Sequence, residues 1–332
     1  MSSIIKITSV IIGTIIGAGF ISGQEIYSFF NKYGDYGQIG IIVAIGLIAV
    51  IIYKTLKIIY EKNILDYEEL LNKTINKKNR FIIYTIKNII NIFLIISYFI
   101  MCSAFSTYCM ENYNIPKLLG GATISILSYL ILRKDIKAII KTNELLMPFV
   151  IVFIIIIGVI TLNWNGFNTN KQDLYKPIIK GILYANYNCI TLIPMLITLK
   201  KEISNKKQIK SISVLSFIIL YLLTEIIYIS QGKIEINNVE MPMLEVSRRI
   251  SIYFVIIYGI MTGIAIFTSA ISAAYSLTNN IKTNEKIKRI IIIVLCITAI
   301  PASTLSFSNL VNLAYPIFGL LGIMQIFFIL KT

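Results

Sequence analysis

The residues with the most chemical content lie between Gly13 and Glu25, which read Gly-Thr-Ile-Ile-Gly-Ala-Gly-Phe-Ile-Ser-Gly-Gln-Glu. Four of these are glycines, which lower the cost of leaving a helical backbone. A helix that breaks leaves bare carbonyls before the break and bare amide N–H groups after it. A half-helix restarting near Ile21 would offer N–H groups and a positive dipole end to a carboxylate. Carbonyls freed at Gly17 and Ala18 could receive an ammonium group or a cation. A second stretch, Gly181-Ile182-Leu183-Tyr184-Ala185-Asn186-Tyr187-Asn188, sets a glycine and two asparagines among apolar residues, with Pro194 further on. Its carbonyls near Tyr184 and Ala185, and the uncharged amides of Asn186 and Asn188, suit a zwitterionic ligand. The candidate binding set on these two stretches is therefore Gly17, Ala18, Gly19, Phe20, Ile21, Ser22 and Glu25, with Tyr184, Ala185, Asn186 and Asn188. Gly13/Gly17 and Gly19/Gly23 are also GxxxG pairs, the spacing of close helix packing. Packing alone does not account for Gln24 and Glu25 following at once.

The elements that must carry these residues are membrane helices. Of 332 residues, 56% are apolar and 14% charged, with a mean hydropathy of +0.78, whereas an average soluble domain is about 25% charged. Apolar runs of about 20 residues recur along the chain, and such runs read as transmembrane helices. The expected fold is an all-α polytopic membrane protein of ten spans: Ile4–Phe30, Gln38–Tyr60, Phe81–Met110, Leu118–Leu132, Leu145–Leu162, Ile178–Leu199, Ile212–Ser230, Ile250–Leu277, Ile290–Ala302 and Asn309–Leu330. That leaves connecting loops and no separate soluble domain. The chain is a single membrane domain over 1–332, with a first five-helix half over 1–165 and a second over 170–332. Five helices per half is odd, so the halves are inverted relative to each other, and the two glycine-bearing stretches open them. Discontinuous helices 1 and 6 at corresponding places of a 5+5 inverted repeat point to a binding site at the membrane midplane.

Charge supports the same reading. Of 31 lysines and arginines, only Lys32, Lys117, Lys171, Lys176, Lys233, Arg248 and Arg249 fall on one side of the ten spans. Lys87 and Lys180 lie within spans, and the rest share the side of the N-terminus. Basic loops stay inside, so both termini are expected to be cytoplasmic. The net charge of +15 is then a topology signal rather than a nucleic-acid surface. Met1–Ile16 has one lysine ahead of its apolar run and no small-x-small cleavage site, and reads as a retained first helix. The stretch Ile64–Leu71 is amphipathic and predicts a short surface helix. Met241-Pro242-Met243-Leu244, within Asn237–Arg249, predicts a segment that dips back against the bundle. Trp164 falls just beyond the fifth span, at headgroup depth.

Several functions are excluded by what is missing. There is no histidine, hence no His-ligated metal and no Ser-His-Asp triad. Cys102, Cys109, Cys189 and Cys296 sit in apolar runs without CxxC spacing and read as small buried residues. No nucleophile–base or metal constellation suggests an enzyme. Glu25 and Glu225 are carboxylates at membrane depth, where a charge costs about 2.5–3.5 kcal/mol or more. Glu25 fits a proton carrier, an amine contact, an outer gate or a structural hydrogen bond. Glu225 fits a structural role.

Gly17-Ala18-Gly19-Phe20-Ile21-Ser22-Gly23-Gln24-Glu25 resembles the GAGFxSGQE signature of the YkvI-like bacterial membrane proteins, within the amino acid–polyamine–organocation superfamily. The resemblance implies the fold of the bacterial leucine transporter, with substrate held between helices one, three, six and eight, and a bacterial cell-membrane location. It further implies a side chain from mid-helix three, here Tyr98 with Ser97 beside it. For sodium-coupled members it implies a Na⁺ held by an A-x-x-[ST]-[ST] segment of helix eight, here Ala265, Thr268 and Ser269, and by the carbonyls of Gly13 and Ile16. The function expected is a secondary transporter of a small amino acid or related amine-containing solute, driven by Na⁺ or H⁺, with no other cofactor. Its partners are then that solute and the lipid bilayer. Two alternatives stand beside it: a transporter-like receptor that senses a small molecule, and a ten-helix drug/metabolite-type carrier.

Overall fold

The computed structural model describes residues 3–75, 80–132, 137–164, 173–236, 239–281 and 284–332. The expected joint between the halves, 165–170, and the basic Lys77 and Lys78 lie outside the described residues. Every described element is helical. In chain order they are α1 (Ser3–Ile15), α2 (Ala18–Ile21), α3 (Gln24–Phe29), α4 (Gly37–Glu61), α5 (Tyr67–Thr74), α6 (Arg80–Tyr113), α7 (Lys117–Leu132), α8 (Lys137–Thr161), α9 (Tyr175–Thr198), α10 (Lys206–Gly232), α11 (Pro242–Ile250), α12 (Ile252–Asn280), α13 (Glu285–Ala302) and α14 (Phe307–Lys331).

Each of the ten expected spans coincides with helical structure, the first of them in three pieces. Six stretches are long and apolar enough to cross a membrane: Asn31–Glu61, Phe81–Tyr113, Tyr175–Thr198, Lys206–Gly232, Ile252–Thr278 and Phe307–Lys331. Ser3–Ile15, Lys117–Leu132 and Met147–Thr161 are shorter apolar helices. α13 starts five residues before the expected span because Asn284 caps it through Ile287 N, at 2.9 Å, and its first turns carry Glu285, Lys286, Lys288 and Arg289. Other helices begin in the same way. The Asn205 side chain accepts from Gln208 N at 2.9 Å, and Asp66 accepts from Glu69 N at 2.7 Å while Glu69 Oε2 returns to Leu65 N at 2.7 Å. That reciprocal cap satisfies two orphan donors and makes α5 the expected surface helix.

Apolar side chains face both inward and outward. Ile7, Ile48, Leu220 and Ile266 are fully buried, whereas Ile42, Phe81, Leu222 and Ile256 are among many large apolar residues left exposed on helix surfaces. Buried polar groups concentrate inside instead, among them Gln24, Glu25, Asn186, Gln231 and Thr268. This distribution suits a lipid-facing exterior.

The sixth span departs from expectation. α9 is one continuous helix through Ala185–Asn188, so helix 6 is not discontinuous, and the carbonyls of Tyr184 and Ala185 are not freed. The physical reason lies in what its small and amide residues do. Asn188 Nδ2 donates to the Tyr184 carbonyl one turn back at 3.0 Å, which ties it to its own helix. Gly181 faces the backbone of Gly40 on α4, and Gly322 of α14 lies over the Asn186 carbonyl. The small residues bring α4, α9 and α14 into backbone contact, the use of the same residue types that does not require a break.

α4 packs on α9 and α10; α6 on α7, α12 and α14; α9 on α14; α13 on α7; and α1 on α8, α9 and α10. α12 packs on α2, α8 and α13, and α10 on α8. α11 folds back onto this assembly as expected, with Met241, Met243, Leu244 and Val246 all buried.

Candidate functional site

The first helical segment is broken twice, and the two breaks are treated differently by the rest of the chain. At the first, Gly17 is extended (φ −92°, ψ −173°) between α1 and α2. The Gly17 amide turns back to the Ile15 carbonyl at 2.9 Å, so the carbonyls of Gly13 and Ile16 accept no backbone N–H among the described residues, and the Phe20 amide donates to none. A Cβ built on Gly17 would stand 4.0 Å from Ser269 Oγ, and one on Gly13 would stand 3.6 Å from Met147 Cγ. α12 thus presents its hydroxyl segment to this break. Thr268, also buried, donates from Oγ1 to the Ala265 carbonyl at 3.1 Å.

The second break, at Ser22–Gly23, is sealed. Gly23 adopts a left-handed conformation (φ 81°), which a residue with a Cβ adopts only at a cost. Three carbonyls in succession are then capped by three different helices. Tyr258 Oη of α12 donates to Ile21 O at 2.7 Å, Met243 N of α11 to Ser22 O at 3.0 Å, and Gln231 Nε2 of α10 to Gly23 O at 2.8 Å. Ser22 Oγ turns inward to Gly19 O at 3.0 Å.

Glu25 lies between the breaks and α9. It is 5% exposed, and its side chain folds over Gly19: a Cβ built there would overlap Oε1 and stand 2.8 Å from the carboxyl carbon. Tyr187 Oη donates to the other oxygen. Around this pair stand Phe29, Tyr184 and Tyr315. Tyr187 stacks on Tyr315 at 4.6 Å between centroids and on Phe29 at 5.6 Å, and it meets Tyr184 edge-on at 5.3 Å. The Tyr184 hydroxyl is fully buried, next to the side chains of Asn188 and Tyr187.

Gln24, one residue back, donates from Nε2 to Ser28 Oγ at 3.2 Å, and its Oε1 has no hydrogen-bond partner among the described residues. It lines a cleft of about 400 Å³ with Tyr27, Lys32, Glu240, Asn309 and Asn312 at the α11 end of the bundle. Lys32 bonds Asn312 there, and Glu240 joins Lys117 to the start of α14 through Ser308 N.

The structure therefore gathers Gly17, Ala18, Gly19, Phe20, Ile21, Ser22 and Glu25 with Tyr184, and sets Ser269 against Gly17. It places others elsewhere. Tyr98 is buried toward α13, with Oη 3.5 Å from Cys296 Sγ, because its turn of α6 faces the α7/α13 side. Both asparagines are buried: the Asn186 carbonyl lies against Gly322 of α14, and the Asn188 side chain is tied to Tyr184 on its own helix. Glu225 accepts from Gln38 Nε2 at 2.6 Å near the surface of α10, a structural bond. Tyr187, Tyr315 and Phe29 were not among the expected residues. Tyr187 had a visible signal, standing one helical turn after Tyr184 in the stretch singled out above. Tyr315 had none, since α14 meets α9 only through the fold.

No family model matches the chain. It is 25% identical over 330 residues to the uncharacterized membrane protein YkvI of Bacillus subtilis (strain 168), covering 95% of this chain and 91% of that protein. It is 23% identical over 326 residues to the uncharacterized protein YyaD of the same organism, covering 94% and 92%. With apolar helices throughout and these relatives aligned almost end to end, the chain is a multi-pass membrane protein similar to YkvI.

Proposed function

We propose that the protein is a secondary transporter of a small amine-containing solute, an amino acid or a relative of one, working by alternating access around the first helical segment. The observation that carries this reading is the break at Gly17: bare backbone groups beside a buried carboxylate, in a bundle whose exterior is apolar. Irregular backbone at membrane depth is tolerable only where it is buried in protein or lines a cavity or ligand site.

The packing pairs support the 5+5 inverted plan. Numbering the ten helical segments in order, the first packs on the seventh and the second on the sixth; the third packs on the tenth and the eighth on the fifth. The third meets the fourth as the eighth meets the ninth, and the first meets the fifth as the sixth meets the tenth. Each of these pairs has a counterpart five helices along. α5 and α11 occupy equivalent places, after the second segment and after the seventh. The break occurs in one half only, so the two halves share packing but not the interruption.

Sodium is the coupling ion this reading favours. Ser269 Oγ faces Gly17, and the Gly13 and Ile16 carbonyls accept no backbone N–H among the described residues, which is a hard-oxygen set suited to a small cation. Thr268→Val keeps shape and deletes one oxygen. It is expected to lower the sodium dependence of uptake by tenfold or more, with little change in thermal stability; undiminished sodium dependence would remove Thr268 from the ion site and favour protons. The test of function itself is flux. Purified protein in vesicles should accumulate a labelled amine solute when an inward sodium or proton gradient is imposed, whereas a sensor would bind and not accumulate. Orientation has its own test. A cytoplasm-active reporter fused after Thr332 should be active and a periplasm-active one silent, and the reverse pattern would reject the cytoplasmic termini.

A further inference from the structure

We infer that the recess where α8, α10 and α11 come together holds the phosphate of an anionic phospholipid, with Lys233 and Arg249 as its counter-charges and Trp164 as its aromatic wall. The recess has a volume of about 430 Å³ and is lined by Asn163, Trp164, Lys233 and Arg249. None of these belongs to the first helical segment, and lipid binding here is independent of transport.

The place is set by a buried bond. Thr161 Oγ1 and Ser230 Oγ meet at 2.9 Å where α8 and α10 end. Three positions beyond each partner stands a residue suited to a membrane interface, Trp164 after α8 and Lys233 after α10. Trp164 is half-buried and packs on the core. An indole at that level offers an apolar face and one N–H donor.

The charge is unbalanced. Arg248 Nη1 takes Glu245 Oε2 at 2.7 Å, which leaves Arg249 Nε 3.9 Å from the other oxygen, beyond hydrogen-bond distance. The Arg249 side chain is 46% exposed, and Lys233 joins no ion pair among the described residues. Glu235, two residues after Lys233, is exposed and does not line the recess. Topology does not call for these cations, since by sequence they stand on the side poor in lysine and arginine. A guanidinium fork and an ammonium beside one another match the oxygens of a phosphodiester, and basic pockets between membrane helices suit lipid headgroups.

The adjoining surface supplies room for the acyl chains. Leu162, next to Asn163, is 64% exposed, and Val159 and Val152 continue that exposure down α8. Ile252 and Tyr253, which follow Arg249 at the start of α12, are also exposed. α8 and α12 run side by side, with the rings of Phe153 and Phe254 5.7 Å apart. A basic recess bordered by lipid-facing apolar side chains fits a molecule with an anionic head and apolar tails, and a soluble anion would leave the apolar part unused.

Trp164 is the only tryptophan in the chain, so its emission reports on this recess alone. Full-length protein in detergent is titrated with phosphatidylglycerol carrying brominated acyl chains, which quench an indole on contact, and with the matching phosphatidylcholine. Quenching by the anionic lipid should be half-complete at a mole fraction at least fivefold lower. The double change Lys233→Gln with Arg249→Gln should erase that preference, and Arg249→Lys, which keeps the charge, should retain most of it. Taking the same two charges from Lys286 and Arg289, exposed on α13, should leave the preference within twofold. Equal quenching by the two lipids, a preference that survives the Lys233/Arg249 change, or equal loss in both double variants would overturn the proposal. Displacement of the anionic lipid by millimolar inorganic phosphate would overturn it too, marking a site for soluble anions.

Discussion

Gly19→Val is expected to insert and fold yet to lose solute binding and uptake by a hundredfold or more. Gly19 sits in the helical turn α2, so a side chain there is not forbidden by backbone geometry. What it meets is Glu25: the added Cβ would overlap Oε1 and crowd both the carboxyl carbon and Cγ, at 2.8 and 2.9 Å. The carboxylate must swing away, the Tyr187 hydroxyl loses its acceptor, and a buried unpaired donor costs about 1–3 kcal/mol. A β-branched residue leaves the carboxylate no room to return, whereas Gly19→Ala adds a single methyl and is expected to lose about tenfold. Uptake by vesicles and binding by calorimetry are the measurements, with surface expression and detergent stability as controls. A folded Gly19→Val protein with unchanged uptake would put the site somewhere other than the first helical segment.

Gly23→Ala tests the sealed break, and its expected effect is on stability. Alanine at φ 81° costs about 1–2 kcal/mol, and its Cβ would overlap Gln231 Nε2 and approach Met243 Cγ to 2.6 Å and Met243 N to 3.2 Å. Backbone cannot yield as a flexible side chain can, so the bond from Met243 N to Ser22 O is strained together with that from Gln231 to Gly23 O. A loss of about 2–4 kcal/mol is expected, within the range for strain combined with broken buried hydrogen bonds, read as a lowered midpoint of thermal unfolding in detergent. Gln231→Ala removes one of the overlapping atoms. The double variant should therefore lose less than the sum of the two single changes, a coupling that neighbours sharing a contact show and distant residues do not. Strict additivity would mean that the α10 seal does not bear on Gly23.

What could be read from the sequence follows from interactions that are local along the chain. The all-helical architecture with several membrane-length apolar helices, the surface helix α5 and the inward fold of α11 were legible because apolar period and length report directly on burial in lipid or protein. The break in the first segment was legible because glycine content changes the local cost of leaving a helix, and Glu25 was legible as the carboxylate beside it. The sixth segment was misread for a related reason. Glycine and asparagine can open a helix or let another helix approach, and nothing within Gly181–Asn188 distinguishes the two uses. Gly40 and Gly322 decide it, and both are far away in sequence.

The site divides along the same line. Sequence by itself determined that the first segment can open and which charge is carried into the apolar interior, since both depend on residue type within a few positions. Tertiary structure decided what those groups meet: Tyr258, Met243 and Gln231 at the sealed break, Ser269 at the open one, and Tyr187 with Tyr315 around Glu25. It also turned Tyr98 away toward Cys296. Helix crossing and rotation set these meetings, and both arise from the packing of whole helices, whose partners lie up to some 290 residues apart, from Glu25 to Tyr315. A spacing rule along one helix fixes which face a residue occupies and carries no information about the neighbour that face will find.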